Sequence, residues 1–229
     1  ERIVGHMPKS LGFAEAAALP LTAITAWELL FERLQITQGK TDQGQSLLIV
    51  GAAGGVGSIL TQLAAQLTAL KVIGSASRPQ TQAWAKDLGA DLVVDHRQPL
   101  SEELKRAGHA QVTHVASLTQ TDQHLDQLVE ALAPQGKLAL IDDPKSLDVT
   151  KLKRKSLSLH WEFMYTRSMF ETADMIEQHN LLNRVAELID AGTLKTTVGE
   201  HFGVINAANL RRAHALLESG QAKGKIVLE

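Results

Sequence analysis

The chain has 229 residues, 44% hydrophobic and 21% charged, the make-up of a folded protein with one sizeable core and room for a smaller second lobe. A formal charge of -2, with no long run of Lys or Arg, gives no general attraction to nucleic acid or anionic lipid, so neither is expected as a partner. With no cysteine, disulfides, thiolate nucleophiles and cysteine-based metal sites are excluded, and a reducing, cytoplasmic setting fits.

The opening Glu1-Arg2-Ile3-Val4-Gly5-His6-Met7-Pro8 lacks the basic-then-apolar pattern of a signal peptide and starts in mid-pattern, which reads as a piece of a longer protein. Ser10 or a neighbour can cap a helical turn over 13–18, and Pro20 restarts a helix carrying Thr25, Trp27, Leu29, Leu30 and Leu34. Residues 37–44 are polar and read as a loop, after which 46–50 form an apolar run of strand length. Even extended into Gly51 and Ala52 that run is far shorter than the roughly 20 residues of a membrane helix, so no membrane span is expected.

Residues 56–70 then show helical spacing in Ile59, Leu60, Leu63, Ala64 and Leu67. The alternation continues with a strand at 71–74, a helix at 80–88, a strand at 91–95, a short helix at 101–106 and a strand at 112–116. A helix at 122–132 meets the stop signal Ala133-Pro134-Gln135-Gly136, followed by strands at 137–141 and 156–161. Strands alternating with helices at this spacing predict an α/β fold with a Rossmann-type, doubly wound parallel sheet, because each parallel connection must cross over the sheet. Beyond Phe163 the pattern changes to a long helix at 170–191, a strand at 197–202, a helix at 207–219 and a strand at 225–228.

Directly after the first buried strand stands Gly51-Ala52-Ala53-Gly54-Gly55-Val56-Gly57, leading into the amphipathic helix. Gly and Ala keep this bend free of bulky side chains, so a pyrophosphate can approach the backbone and sit on the free N–H groups at the positive end of the helix. A packing turn between strand and helix is the plainer alternative. A P-loop would need Lys and then Ser or Thr after the last Gly, whereas Gly57 is followed by Ser58 and Ile59.

The end of the second strand reads Gly74-Ser75-Ala76-Ser77-Arg78-Pro79. An NAD site normally carries Asp or Glu here to bind the ribose 2′-hydroxyl, and that carboxylate would repel a 2′-phosphate. Here Ser77 offers a hydrogen bond, Arg78 a planar cationic fork and Pro79 a first helical turn, which together favour NADPH over NADH. In the alternative, Ser77 caps the next helix and Arg78 is a solvated surface charge.

These motifs, with Ala16-Ala17-Ala18-Leu19-Pro20, Thr25-Ala26-Trp27, Leu88-Gly89-Ala90-Asp91, His160-Trp161-Glu162-Phe163-Met164 and Gly224-Lys225-Ile226-Val227-Leu228, resemble the medium-chain dehydrogenase/reductase superfamily. The likeness is to its quinone-oxidoreductase-like and zinc-type alcohol-dehydrogenase-like branch. It implies that residues 1–22 end a GroES-like, N-terminal substrate domain, 23–164 form the dinucleotide-binding domain, and 165–229 return to the substrate domain. The resemblance further implies that Ala53, Gly54, Gly55, Val56 and Gly57 hold the pyrophosphate, Ser77 and Arg78 the 2′-phosphate, and that His96 lies near the adenosine. Thr25, the loop Ser117-Leu118-Thr119 and the backbone around Phe163 and Met164 would approach the nicotinamide ribose or ring. Zinc members carry a metal-binding Cys four residues before the Thr of the Thr-x-aromatic element; Leu21 stands there, so no catalytic zinc is expected.

The nine histidines show no paired metal-ligand spacing, and His114 reads as a core or site-lining residue. Asp142 and Asp143 follow the fifth strand at the edge where such sheets place ligands, and a turn with Pro144 explains them equally well. No catalytic acid or base is nominated, because hydride transfer to an electron-poor acceptor rests on positioning the cofactor. The expected activity is reduction of a quinone or conjugated carbonyl by NADPH, with a small-molecule substrate. A nucleotide-binding sensor without turnover is the alternative, and an S-adenosylmethionine methyltransferase a more distant one. The apolar edge strand at 156–161 suggests a homodimer.

Overall fold

A computed structural model describes residues 1–41 and 44–229; the loop expected at 37–44 includes positions 42 and 43, which lie outside the described residues. The apolar runs form six parallel strands: β1 (Ser46–Val50), β2 (Lys71–Ser75), β3 (Leu92–Val94), β4 (Val112–Ser117), β5 (Leu132–Leu140) and β6 (Ser158–Trp161). Their order, β3-β2-β1-β4-β5-β6, is that of a doubly wound sheet whose chain reverses direction between β1 and β4. β1 shows why such strands are continuously apolar. Leu47 and Ile49 enter the core on one face of the sheet, while Leu48 and Val50 enter the core on the other.

The first face is covered by α2 (Pro20–Trp27), the widened π-helical turn Glu28–Arg33 that continues it, α3 (Gly55–Leu67) and α8 (Glu177–Asp190). Among the described residues, the one helical stretch long and apolar enough to cross a membrane is 13–33; it belongs largely to this core through Ala23, Ala26, Leu29 and Leu30. The second face is covered by α5 (Leu100–Arg106) and α6 (Thr121–Ala131), whereas α4 (Pro79–Asp87), which connects β2 to β3, packs Ala85 into the first core. Residues 165–229 divide by packing. α8 inserts Val185, Leu188 and Ile189 into the first core, whereas β7 (Val198–His201), α9 (Ala207–Glu218) and β8 (Lys225–Val227) carry a separate two-stranded pair.

Four expectations need correction. The first helix, α1 (Phe13–Ala17), is capped by Gly12, whose N–H donates to the Glu15 carboxylate; Ser10 instead donates its hydroxyl to Asp190 at 2.7 Å. The stop signal at 133–136 lies inside β5. Leu132 already pairs with Val112, and Gln135 at φ 65 takes up the irregularity before Lys137 resumes pairing. β6 begins two residues later than expected, because Ser156 at φ 51 ends the 3-10 helix Val149–Lys155. The long helix expected from 170 starts at Glu177. Ahead of it lie the single turn α7 (Thr166–Met169) and a bend through Glu171 at φ 45, held by Arg167 reaching Asp174 at 2.8 Å.

Candidate functional site

β1 ends at Gly51, whose φ of 81 lies in the left-handed region that Gly occupies without strain. The chain then enters α3 so tightly that a Cβ on Gly57 would lie 2.3 Å from the Gly51 carbonyl oxygen, which only Gly avoids. Gly54 is the N-cap and supplies no side-chain acceptor, so the first-turn amides of Gly55, Val56 and Gly57 are left for a ligand at the positive end of the helix. The bend is braced from both sides. Gly51 N–H donates to Ser75 Oγ at 3.1 Å, and Ala53 O accepts from Gly224 N at 2.8 Å.

A cavity of about 410 Å³ opens over this bend, at the carboxyl ends of β1, β2 and β4. Of the expected site residues, Ala53, Gly54, Gly55, Val56, Gly57, Ser77, Arg78, His96 and Leu118 line it. The others stand elsewhere. Thr25 is buried and donates its hydroxyl to Leu21 O at 3.0 Å; Ser117 is sealed against Thr121, with 2.8 Å between hydroxyls. Phe163 is exposed beside Tyr165, and Met164 offers its carbonyl to Gln178 at 2.6 Å.

The cavity wall contains no Asp or Glu, and its one guanidinium is Arg78. Ser77 is not the helix cap: the N-cap of α4 is Arg78, with Thr81 closing the first turn. Arg78 Nη2 donates to Gln221 O at 2.7 Å, which ties the cation to the turn bearing Gly220 and Ala222, two further wall residues. Burial, and then the charge of nearby His124, lower the His96 pKa. Ser75 Oγ accepts from Gly51 N–H and lies 3.2 Å from His96 Nδ1, so one hydroxyl joins the bend to the imidazole.

Thr119, the end of the expected 117–119 loop, also lines the wall, whereas sequence reasoning missed Ser75, Thr81, Gln120, Ile141, Gly220 and Ala222 there. Ser75 was within reach, as the last residue of β2 beside the 2′-phosphate motif; the turn at 220–222 arrives from a distant segment without a local signal. Asp142, left open between ligand and turn, anchors α6 by accepting from Thr121 N at 2.8 Å and from its hydroxyl. His114 lies in the register beside Leu47 and bonds Thr113 at 2.8 Å, and burial holds its pKa down to about 4. No group of three or more His, Cys, Asp or Glu residues suited to a metal occurs among the described residues.

Residues 88–228 match the family model described as zinc-binding dehydrogenase. The chain belongs to this family. Within the medium-chain dehydrogenase/reductase superfamily, a zinc-type alcohol dehydrogenase-like protein of Staphylococcus aureus (strain MSSA476) is 35% identical over 230 residues, covering 100% of the chain and 68% of the relative. A crystal structure from Rhizobium etli CFN 42, provisionally named a zinc-dependent alcohol dehydrogenase, superposes with a TM-score of 0.94 at 53% identity, covering 100% of this chain and 67% of that one. The Escherichia coli quinone oxidoreductase complexed with NADPH superposes at 0.80 with 26% identity, over 97% of this chain and 67% of that one.

Proposed function

We propose that this zinc-binding-dehydrogenase-family chain holds NADPH for hydride transfer to a quinone or a conjugated carbonyl, without a catalytic zinc. The observation that carries the reading is one cavity combining the uncapped amides of Gly55, Val56 and Gly57 with the Ser77–Arg78 pair and no carboxylate. A diphosphate fits the amides because the Gly bend brings no side chain over them, and a Cβ on Gly54 would touch nothing nearer than the Gly51 carbonyl at 3.5 Å. A 2′-phosphate fits Arg78 because it provides charge and planar donors where a carboxylate would repel.

When bound, the nicotinamide supplies the hydride, and the protein's part is orientation. Arg78 and Ser77 would hold the 2′-phosphate, the α3 amides the diphosphate, and His96 would lie beside the adenosine half. Leu118 and Ile141, apolar wall residues beyond the bend, would exclude water from the reactive end. Leu21, the residue at the expected zinc-ligand position, is 46% exposed and has only a hydrocarbon side chain.

About a third of the matched relatives' own length lies outside the part this chain covers, and the proposed turnover belongs to such a two-domain assembly, with residues 1–22 closing the substrate domain. This chain alone is expected to bind the nucleotide and turn over little. The cytoplasmic setting belongs to the same proposal, as does a homodimer across the exposed edge of β6, where Trp161 is 50% exposed; light scattering should show a dimer. The functional test is NADPH oxidation by a panel of quinones and conjugated ketones, using the chain joined to a relative's N-terminal domain. Acceptor-dependent oxidation supports the reading, and nucleotide binding without it makes the protein a sensor.

A further inference from the structure

Two buried carboxyl groups meet where β6 leaves the sheet. Glu28 opens the π-helical turn and is 1% exposed, and Glu162, the first residue after β6, is 2% exposed. One oxygen of each is satisfied. Glu28 Oε1 accepts from Arg167 Nη1 at 2.7 Å and Gln178 Nε2 at 3.2 Å, and Glu162 Oε2 accepts from Arg33 Nε at 2.8 Å. The other oxygens, Glu28 Oε2 and Glu162 Oε1, are sealed from solvent without a hydrogen-bond partner, although the two side chains lie within hydrogen-bonding reach of each other. Two ionised carboxylates so placed would leave repelling lone pairs where no water can reach. A single proton between them replaces that repulsion with one O–H···O bond and satisfies both oxygens.

We propose that Glu28 and Glu162 share one proton, and that this carboxyl pair is a positioning device for the backbone at 163–164. The link is direct on both sides. Glu162 immediately precedes Phe163, and the Gln178 amide that donates to Glu28 also donates to Met164 O at 2.6 Å. Phe163 and Met164 stand outside the cavity wall, so assigning their backbone to the nicotinamide end rests on the family resemblance and the NADPH reading above; the shared proton does not.

Burial first, then the charge and hydrogen bond of Glu28, push the Glu162 pKa up to about 8 against the pull of Arg33. The other charged or titratable groups facing the pair are Glu32 on the π-helical turn, Arg167 on α7, Asp174 ahead of α8, His160 on β6 and Lys137 on β5. Burial opposes the Arg167 charge, but hydrogen bonds to Asp174, Glu32 and Glu28 outweigh it and raise its pKa. Burial, followed by the charges of Lys137 and Arg33, lowers the His160 pKa, so that ring is neutral while Glu162 titrates. The folded chain holds the Glu162 proton more tightly than the unfolded chain, where Glu titrates near 4.5. Its stabilisation is therefore complete below about pH 4.5 and gone above about pH 8, with the folded-to-unfolded ratio falling by up to about tenfold per pH unit between.

Carbon-13 NMR of glutamate-labelled protein tests the proton without any variant. One side-chain carboxyl should titrate between about pH 7 and about 9, and should vanish in Glu162→Gln and shift down in Glu28→Gln. If every Glu carboxyl in the unsubstituted protein titrates below about pH 6, the shared proton is overturned. Positioning is read by amide exchange at 163–165, corrected for intrinsic rates: protection should fall roughly fivefold or more across the same interval and stay flat in Glu162→Gln, and flat protection in the unsubstituted protein overturns that role. Calorimetry with NADPH and with 2′-phospho-ADP-ribose, which lacks the nicotinamide, completes the test. The affinity ratio should fall roughly fivefold above about pH 8 in the unsubstituted protein, and an unchanged ratio overturns the link to the nicotinamide end. Failure of both probes to bind at either pH overturns the nucleotide reading, while the carboxyl titration and amide exchange still decide the proton and its positioning role.

Discussion

The exits of β1 and β6 lie on the same edge of one sheet and treat polarity in opposite ways. At β1 the chain leaves through Gly51 and Gly57, and the first amides of α3 are uncapped and face a cavity of about 410 Å³. At β6 it leaves through Glu162 into a closed knot of carboxylates and guanidiniums, in which Arg167 alone contacts Glu28, Glu32 and Asp174. Unsatisfied donors at an open bend are what a ligand requires, whereas unsatisfied acceptors in a sealed knot require a proton. Both exits are built from backbone and side-chain polarity, and solvent access decides which of them becomes a binding site.

The largest effect should come from breaking the closed side. Arg167→Ala leaves Glu28 buried without its cation and should cost about 3–5 kcal/mol in urea unfolding, while a loss below about 1 kcal/mol would show that the knot is not electrostatically tied. On the open side, Gly57→Val drives a side chain into the Gly51 carbonyl and should cost about 1–3 kcal/mol and abolish nucleotide binding. Gly54→Ala, with only a 3.5 Å contact to meet, should fold within about 0.5 kcal/mol of the parent. Arg78→Ala should weaken NADPH binding by about 1.5–3 kcal/mol in calorimetry and leave NADH binding and unfolding unchanged. Asp142→Ala sharpens the boundary between the regions: it removes the anchor of Thr121 and should cost about 1 kcal/mol without altering nucleotide affinity.

The open side was largely legible in the sequence because its requirements are local. A buried strand, a bend free of bulky side chains and an amphipathic helix must follow one another along the chain, and residues 46–67 do so. The Ser77-Arg78-Pro79 run was legible for the same reason, and the structure places Ser77 and Arg78 in the same wall as the bend. The closed side was not. Glu28, Glu162 and Arg167 come from distant parts of the chain, and a single Glu at the end of a strand carries no sign that a second carboxyl will face it. The misplaced elements share this cause. Periodicity extended a helix through 170–176, where Arg167 draws Asp174 into a bend, and the stop signal at 133–136 read as a break between helix and strand, although pairing of Leu132 with Val112 already begins the strand there. Side-chain spacing reports which face an element buries, and it is silent about ion pairs closed across the fold.

The central claim is that the β1 exit receives a dinucleotide with a phosphorylated ribose. Isothermal titration of the chain with NADPH and with NADH at neutral pH tests it most directly. NADPH should bind more tightly, by at least roughly tenfold, and Arg78→Ala should erase the difference. Equal affinities, tighter NADH binding, or a preference that survives the loss of Arg78 would contradict it.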